Sequence, residues 1–546
     1  MKFPQLRLPR TFRSLELNDA DSRWENEDIV PVVKNEQNFT NRAFFGYWVA
    51  AGLNTTAWAL GSSNLANGLD LGGALGGIFA GGVLSGLVAF LCGEPGVRYH
   101  LGFSMMSRAT FGMYGAWFVI MLKCFVNFIF FGIQAYWGGL AASVVLSSIF
   151  PSFHTMANTL PESAQITTQQ LIGFIIYIFL FTPLMFIHPS RLQPVLAVSL
   201  VTTTCTVFGV FIWAVASNGG APLVPPKVKV SSSERSFQIL RAMSAVAGAW
   251  TGACIRQSDW TRYAKTRRAP AIHQLVSGPL TVTICATLGA FATSAVNSMY
   301  GKLIWNPIAI LQFVLERDYD AASRAGCFFA GMGFFISQIA TNLVQNSVSC
   351  GMDLASLAPR WIDVTRGSLI MCLVGYLINP WRFVNAPGTF ITVLSSFGMF
   401  VSPLAGINAI DFWVVRRLRW SVPDFYIGNS ESIYWFTAGL NWRAFFAWTL
   451  AVWPSFPGFI AATGAIEVSV GWERCFSVTW WVIGFCGGAA VYYIVCLISP
   501  PPGSPYTIKH YDNDAMGVLD GVEDRNDNDE KHPTASIKSA GASGSS

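Results

Sequence analysis

The sequence predicts an all-α membrane protein of twelve transmembrane helices, and three observations carry that reading. Of its 546 residues 52% are hydrophobic and only 12% charged, with a mean hydropathy of +0.43; a soluble chain carries about 25% charged residues. Apolar runs of roughly 20 residues, enough to cross a bilayer, recur along the chain between polar turns. Two of those runs, five spans apart, carry glycine and polar residues at mid-depth. Interrupted helices at corresponding positions of two halves mark a transporter built from inverted repeats. A 5+5 inverted repeat plus two extra helices follows.

Taken in order, residues 1–43 form a charged N-terminal tail, with Arg7, Arg10 and Arg13 where a cleavable signal peptide would be apolar. This tail is expected to be solvated or to lie on the membrane surface. The first repeat, 44–216, holds spans 1 to 5. Span 1, about 44–66, is interrupted by Gly52, Asn54, Thr55 and Thr56, and irregular backbone at that depth survives only where it lines a cavity or is covered by protein. Span 2, about 72–92, has a glycine stripe at 73, 77 and 81 that lets another helix approach closely. A basic loop, Gly93–Phe111, carries Arg98 and Arg108. Span 3, about 112–142, contains Lys123, Asn127, Gln134 and Tyr136. Spans 4 and 5, about 170–187 and 192–216, are almost purely apolar and are joined through His188, Pro189, Ser190 and Arg191. A proline-rich loop with Pro222, Pro225 and Pro226 follows.

The second repeat, 237–414, begins with span 6, about 237–255. Gly248, Trp250, Thr251 and Gly252 are placed to break it at mid-depth; the alternative is that Gly248 and Gly252 are a small-xxx-small packing pair. Spans 7 and 8, about 274–297 and 325–350, flank a loop expected to hold a short surface helix. Spans 9 and 10, about 365–379 and 389–414, end in Arg416, Arg417 and Arg419. Spans 11 and 12 fill 443–498, and the acidic, Asn- and Ser-rich tail 499–546 is expected to be disordered. An even number of spans puts both tails on one side. Arg98, Arg108, Arg262, Lys265, Arg267 and Arg268 then share that side, while Lys227, Lys229, Lys302 and Arg474 face the other, so both tails are assigned to the cytoplasm.

The net charge of +5 fits this bias and says little about nucleic acid. The 11 cysteines lie mostly in apolar spans without a CxxC pair and read as packing residues, neither a disulfide framework nor a metal site. An enzyme is disfavoured: no HExxH, paired carboxylates or Ser/His/Asp set lies at one depth, and His100 and His188 stand alone.

The stretch Ser337–Asp353, SQIATNLVQNSVSCGMD, is the most polar at membrane depth. An unpaired amide or hydroxyl in hydrocarbon costs about 2–7 kcal/mol, so these groups face protein, a cavity or a ligand; helix–helix glue is the plainer alternative. The mid-membrane set is Asn54 and Thr55 of span 1, Phe130 and Gln134 of span 3, Trp250 of span 6, and Asn342 and Asn346 of span 8. Phe130 and Gln134 share a helix face, as do Asn342 and Asn346. Amides pair with the N–H/C=O edge of a lactam or imide, and aromatic faces clamp a flat ring. With no arginine clamp in the set, a neutral planar heterocycle suits this chemistry better than an amino acid, sugar or phosphate. Lys123 reads as the one intramembrane base. It is assigned to an inner gate with an acid near Asp353, the alternative being a side chain that snorkels to the surface. Asp353, Asp259 and Glu94 are candidate gate or proton groups, or else ion pairs at helix ends.

Five stretches bring a resemblance into view: GVRYHLGFSMMSRATFGMYGAW, FGIQAYWGG, QSDWTRYAK, IATNLVQNSVSCGMDLASLAPRWIDVTRG and LAGINAIDFWVVRR. In these the chain resembles the nucleobase:cation symporter-1 family of fungal uracil, allantoin, uridine, thiamine and nicotinamide riboside permeases and a bacterial hydantoin transporter. The resemblance spans roughly residues 25–500 and implies a leucine-transporter-like fold. The family's W-x-x-x-Q falls on Phe130 and Gln134, with tryptophan replaced. The span-6 position that is lysine in uracil- and allantoin-type members is Trp250, as in the hydantoin transporter. T-N-x-x-x-N falls on Thr341, Asn342 and Asn346, and GLNTTAW places Asn54 at the site.

The Ser-Thr pair of sodium-coupled members is Ala340-Thr341 here, one hydroxyl short for a hard cation that needs several oxygens. The resemblance therefore implies a co-transported proton ahead of sodium, and no other cofactor. It further implies a plasma-membrane symporter importing a nucleobase such as uracil, or an allantoin, nucleoside or vitamin relative. A thiamine or nicotinamide riboside permease and a non-transporting nutrient receptor are the alternatives. The expected partners are the small-molecule cargo and the bilayer, with no nucleic acid, and Lys509, Lys531 and Lys538 of the tail are possible positions of ubiquitin modification.

Overall fold

Span 1 is two helices, Asn41–Gly52 and Thr55–Ala66, because Leu53 and Asn54 leave helical backbone and the Asn54 side chain caps the second piece. The break expected from GLNTT is therefore present. It is seen in a computed structural model that describes residues 23–25, 28–187, 193–220 and 231–504. The expected loops at His188–Arg191 and Pro222–Pro226, Lys227 and Lys229, and the tail lysines Lys509, Lys531 and Lys538 lie outside the described residues.

The described residues are helical, with two isolated β-bridges and no β-strand among them. Nine helices among them are long and apolar enough to cross a membrane. Positions expected to hold spans 1, 6 and 9 are occupied by the broken pair, by Ser232–Ile255 and by the shorter apolar helix Val364–Leu377. The two halves pack alike: Leu71–Tyr99 lies along Ser232–Ile255, and Gly278–Tyr300 lies along Thr55–Ala66. Gly115–Ile149 and Ala321–Thr341 pack on each other at the centre.

The expected break of span 6 at Gly248–Gly252 is not there. Ser232–Ile255 runs through both glycines as one helix, and the helical path yields only at Arg256, before a short turn Ser258–Thr261. The reason is close packing. A Cβ on Gly248 would lie 1.9 Å from the Leu394 carbonyl oxygen, and one on Gly252 would lie 2.7 Å from Asn127 Oδ1. The glycines admit neighbours, as the packing alternative held.

Three other expectations change. Span 2 does not stop near residue 92; it continues through Pro95 to Tyr99, ending on left-handed His100. The basic loop after it is largely a buried helix, Phe103–Phe111, in which the Arg108 guanidinium donates to the carbonyls of Trp24, Phe425 and Ser356. The tail also packs before residue 43. Trp24, Ile29, Val32 and Phe39 are buried, and Phe39 exchanges backbone bonds with Tyr263 and Lys265. The short helix expected between spans 7 and 8 is Pro307–Arg317, and it buries Ile308, Ile310 and Leu311.

Candidate functional site

The break in span 1 frees backbone carbonyls that would otherwise go unpaired at membrane depth. Asn54 closes most of the gap itself. Its Nδ2 donates to the carbonyls of Ala50 (3.3 Å) and Ala51 (2.8 Å), and its Oδ1 accepts from Ala57 N–H (2.9 Å). Trp250 donates its indole N–H to Ala51 O at 3.2 Å and packs edge-on against Trp48. Gln134 Nε2 and Gln338 Nε2, from the two central helices, each reach 2.5 Å to a threonine hydroxyl at the start of the second piece, Thr56 and Thr55 respectively.

In span 8 the helix loosens. Asn342–Ser347 is a π-helical turn between Ala321–Thr341 and Val348–Leu357, a local widening often found at functional positions. Asn346 Nδ2 donates to Asn342 Oδ1 at 2.8 Å, so the predicted amide column exists. Asn342 is turned toward span 4, donating to Tyr177 Oη (3.0 Å) and Phe131 O (3.2 Å).

Asn346 and its neighbour Gln345 line a small cavity with Asn127, Phe130, Arg256 and Phe397, floored by Gly248 and Gly252. Phe130 and Phe397 meet edge-on, ring centroids 6.4 Å apart. The cavity holds about 10 Å³, room for the centre of about one water, so a heterocycle enters only when the surrounding helices part. Of the predicted binding residues, Phe130 and Asn346 line this cavity. Asn54, Gln134, Trp250 and Asn342 instead hold the break and the helices around it. A larger cavity of about 690 Å³ lies between Gln193–Ser217 and Ala321–Thr341. Its wall includes strongly exposed Phe329, so it opens on the perimeter of the bundle.

Asn127, Gln345, Phe397 and Arg256 were missed as lining residues. Gln345 adjoins Asn346 and Asn127 lies one turn from Phe130, so helical spacing signals both. Arg256 follows Gly252 at i+4 and so shares its face, yet in CIRQSDW it reads as the start of the charged turn. Lys123 is thus not the one buried base near this depth, and the expectation of a site without arginine gives way.

One turn before Asn127, Lys123 Nζ forms an ion pair with Asp353, both side chains buried, and lies 4.3 Å from the Phe103 ring. It does not snorkel. The predicted pairing across spans 3 and 8 is present. Asp259 accepts from Phe103 N–H at 2.7 Å, Glu94 binds Arg267 at 2.6 Å, and Thr341 is buried next to Ala340.

Polar groups gathered about a closed cavity between helices long enough to span a bilayer are the architecture of a multi-pass membrane transporter, and the family match agrees. Residues 31–483 match the family of permeases for cytosine/purines, uracil, thiamine and allantoin, and the chain belongs to it. It is a permease and not an enzyme. It is 30% identical to transporter aclS of Aspergillus oryzae, over 89% of this chain and 88% of that one. It is also 30% identical to the thiamine transporter THI72 of Saccharomyces cerevisiae, over 95% and 87%. The fold is that of Mhp1, a nucleobase-cation-symport-1 family transporter solved in a closed conformation with bromovinylhydantoin bound. The TM-score is 0.68 at 19% identity, over 87% of this chain and 97% of that one.

Proposed function

We propose that the chain is a proton-coupled symporter of the plasma membrane, with both termini cytoplasmic, importing a planar heterocycle of the nucleobase, allantoin, nucleoside or vitamin kind by alternating access. The observation that carries this reading is the cavity in which the amides of Gln345 and Asn346 stand beside the rings of Phe130 and Phe397. Amides supply a donor and an acceptor to a ring edge, and aromatic faces supply the clamp. Proton coupling is favoured over sodium because Ala340 removes a hydroxyl beside Thr341. The likeness to a thiamine transporter supports a second reading, a thiamine-like cargo.

The test is uptake by cells lacking their own permeases, offered radiolabelled uracil, uridine, allantoin, cytosine, thiamine and nicotinamide riboside at pH 5 and pH 7.5, with and without sodium. Saturable uptake of one compound, stronger in acid and indifferent to sodium, is the expected result. Sodium dependence would overturn the coupling, and surface expression without uptake of any compound would overturn transport of this class.

A further inference from the structure

Among the described residues three arginines are fully buried, Arg108, Arg256 and Arg416. Two of them show how this fold treats a structural guanidinium. Arg108 donates to three carbonyls, and Arg416 is paired with Asp411 at 2.9 Å and bonds the carbonyl of Ala109. Arg256 is different. Its side chain is 1% exposed, it lines the cavity, its Nε and Nη1 are buried with no hydrogen-bond partner, and it makes no salt bridge among the described residues. Two buried carboxylates lie in the same region and neither bonds Arg256: Asp353 pairs with Lys123 through Oδ2 and Asp259 accepts from the Phe103 N–H through Oδ1, each keeping its other oxygen without a hydrogen-bond partner.

Two more unpartnered groups line the same cavity, Asn127 Nδ2 and Gln345 Nε2. The orphans lining the cavity are all donors, and they come from three separate segments. A buried charge left without compensation is strongly destabilising, and buried donors are nearly always satisfied. What such a cavity lacks is an acceptor-rich group of negative charge, since hydrogen bonds between a cation and an anion are the strong ones.

We propose that Arg256, Asn127 and Gln345 form an anion-binding subsite within the transport cavity, and that the preferred cargo is a planar heterocycle bearing a carboxylate. This rests on the transporter reading above and narrows its substrate class. The carboxylate sits against the guanidinium and the two amide N–H groups, and the ring extends toward Phe130 and Phe397.

The test uses the full-length protein in nanodiscs at pH 7, where a carboxylate is ionised. Matched pairs are compared by competition binding: nicotinate against nicotinamide, and orotate against uracil. The wild type is expected to favour the acid by about tenfold or more, the weight of one charge-assisted contact. Arg256→Gln is expected to remove that preference, and Arg256→Lys to retain part of it. The ligand-free melting temperature of Arg256→Gln is expected to equal or exceed that of wild type. Equal or inverted preference in the wild type, a preference that survives Arg256→Gln, or a lower ligand-free melting temperature would each overturn the subsite. Uptake of neutral heterocycles with no binding of either acid overturns the subsite and leaves the transporter reading standing. Failure of every compound in both binding and uptake overturns both.

Discussion

Lys123 of the Gly115–Ile149 helix and Asp353 of the Val348–Leu357 helix form an ion pair with both side chains buried, joining the central helices of the two halves on the side of the cavity near the chain's packed N-terminal segment. Removing one partner of such a pair leaves the other charge buried and alone, which costs about 3–5 kcal/mol. Replacing both with apolar groups costs far less. Lys123→Met and Asp353→Asn are each expected to lower the melting temperature of the purified protein sharply. The double variant Lys123→Met/Asp353→Leu is expected to recover most of that loss and, on the proposed role of the pair as an inner gate, to fail in uptake. Single variants as stable as the double would rule out a mutual dependence.

Gln134 and Gln338 reach from opposite central helices to Thr56 and Thr55, fastening the second piece of span 1 at its first turn. Thr56→Val strips Gln134 of its acceptor and leaves a buried amide unpaired, a loss of about 1–3 kcal/mol. Pairing it with Gln134→Leu is expected to restore much of the stability. The melting temperatures of the two single variants and the double variant decide it; strictly additive losses would show that the two side chains do not depend on each other.

Legibility in the sequence followed the reach of local rules. The break of span 1 was visible because Asn54 is both a helix interrupter and a cap, and that chemistry is local. The Lys123–Asp353 pairing was visible because a base in the middle of an apolar span demands an acid. Span 6 misled because glycine signals a break and a close approach equally. Only the position of Leu394, more than a hundred residues away, settles which. Arg256 escaped for a similar reason. In sequence it stands beside Asp259 and Arg262, so it reads as the start of a solvated turn, and nothing local says that the turn is buried. The tail's Trp24, Ile29, Val32 and Phe39 escaped because isolated apolar residues in a polar stretch carry no period.

Gly248 and Gly46 make a controlled comparison of helical glycines. A Cβ at Gly248 would meet the Leu394 carbonyl at 1.9 Å, whereas one at Gly46 would meet nothing within 4 Å. Backbone cannot rotate aside as a side chain can, so Gly248→Ala must push Ser232–Ile255 away from Pro387–Ile410. A loss of about 1–3 kcal/mol is expected from such overpacking. Gly46→Ala is expected to be neutral or to gain roughly 0.5–1 kcal/mol from helix propensity. Thermal unfolding of the two variants checks both, and a harmless Gly248→Ala would show that the two helices have slack.

Asp70 and Arg235 form a two-point ion pair, 2.7 and 2.9 Å, at the end of the molecule away from Lys123, tying the start of Leu71–Tyr99 to the start of Ser232–Ile255. The hydrogen bond from Arg235, opposed by slight burial and helped by the Gly73 N–H, holds the Asp70 carboxyl at about 2, below its ordinary 3.8. A carboxyl depressed in the folded state stabilises fully above its unfolded value, and the contribution is lost as pH falls from there through the folded one. The pair is therefore constant across pH 5 to 7.5 and fades only below about pH 4. Asp70→Asn is expected to shift the melting temperature by a fixed offset across pH 5 to 7.5, an offset that shrinks in stronger acid. The ratio of uptake at pH 5 to uptake at pH 7.5 is expected to match wild type, because the charge of this pair does not change over that range. Loss of acid stimulation in Asp70→Asn would move the coupling proton to this end of the molecule.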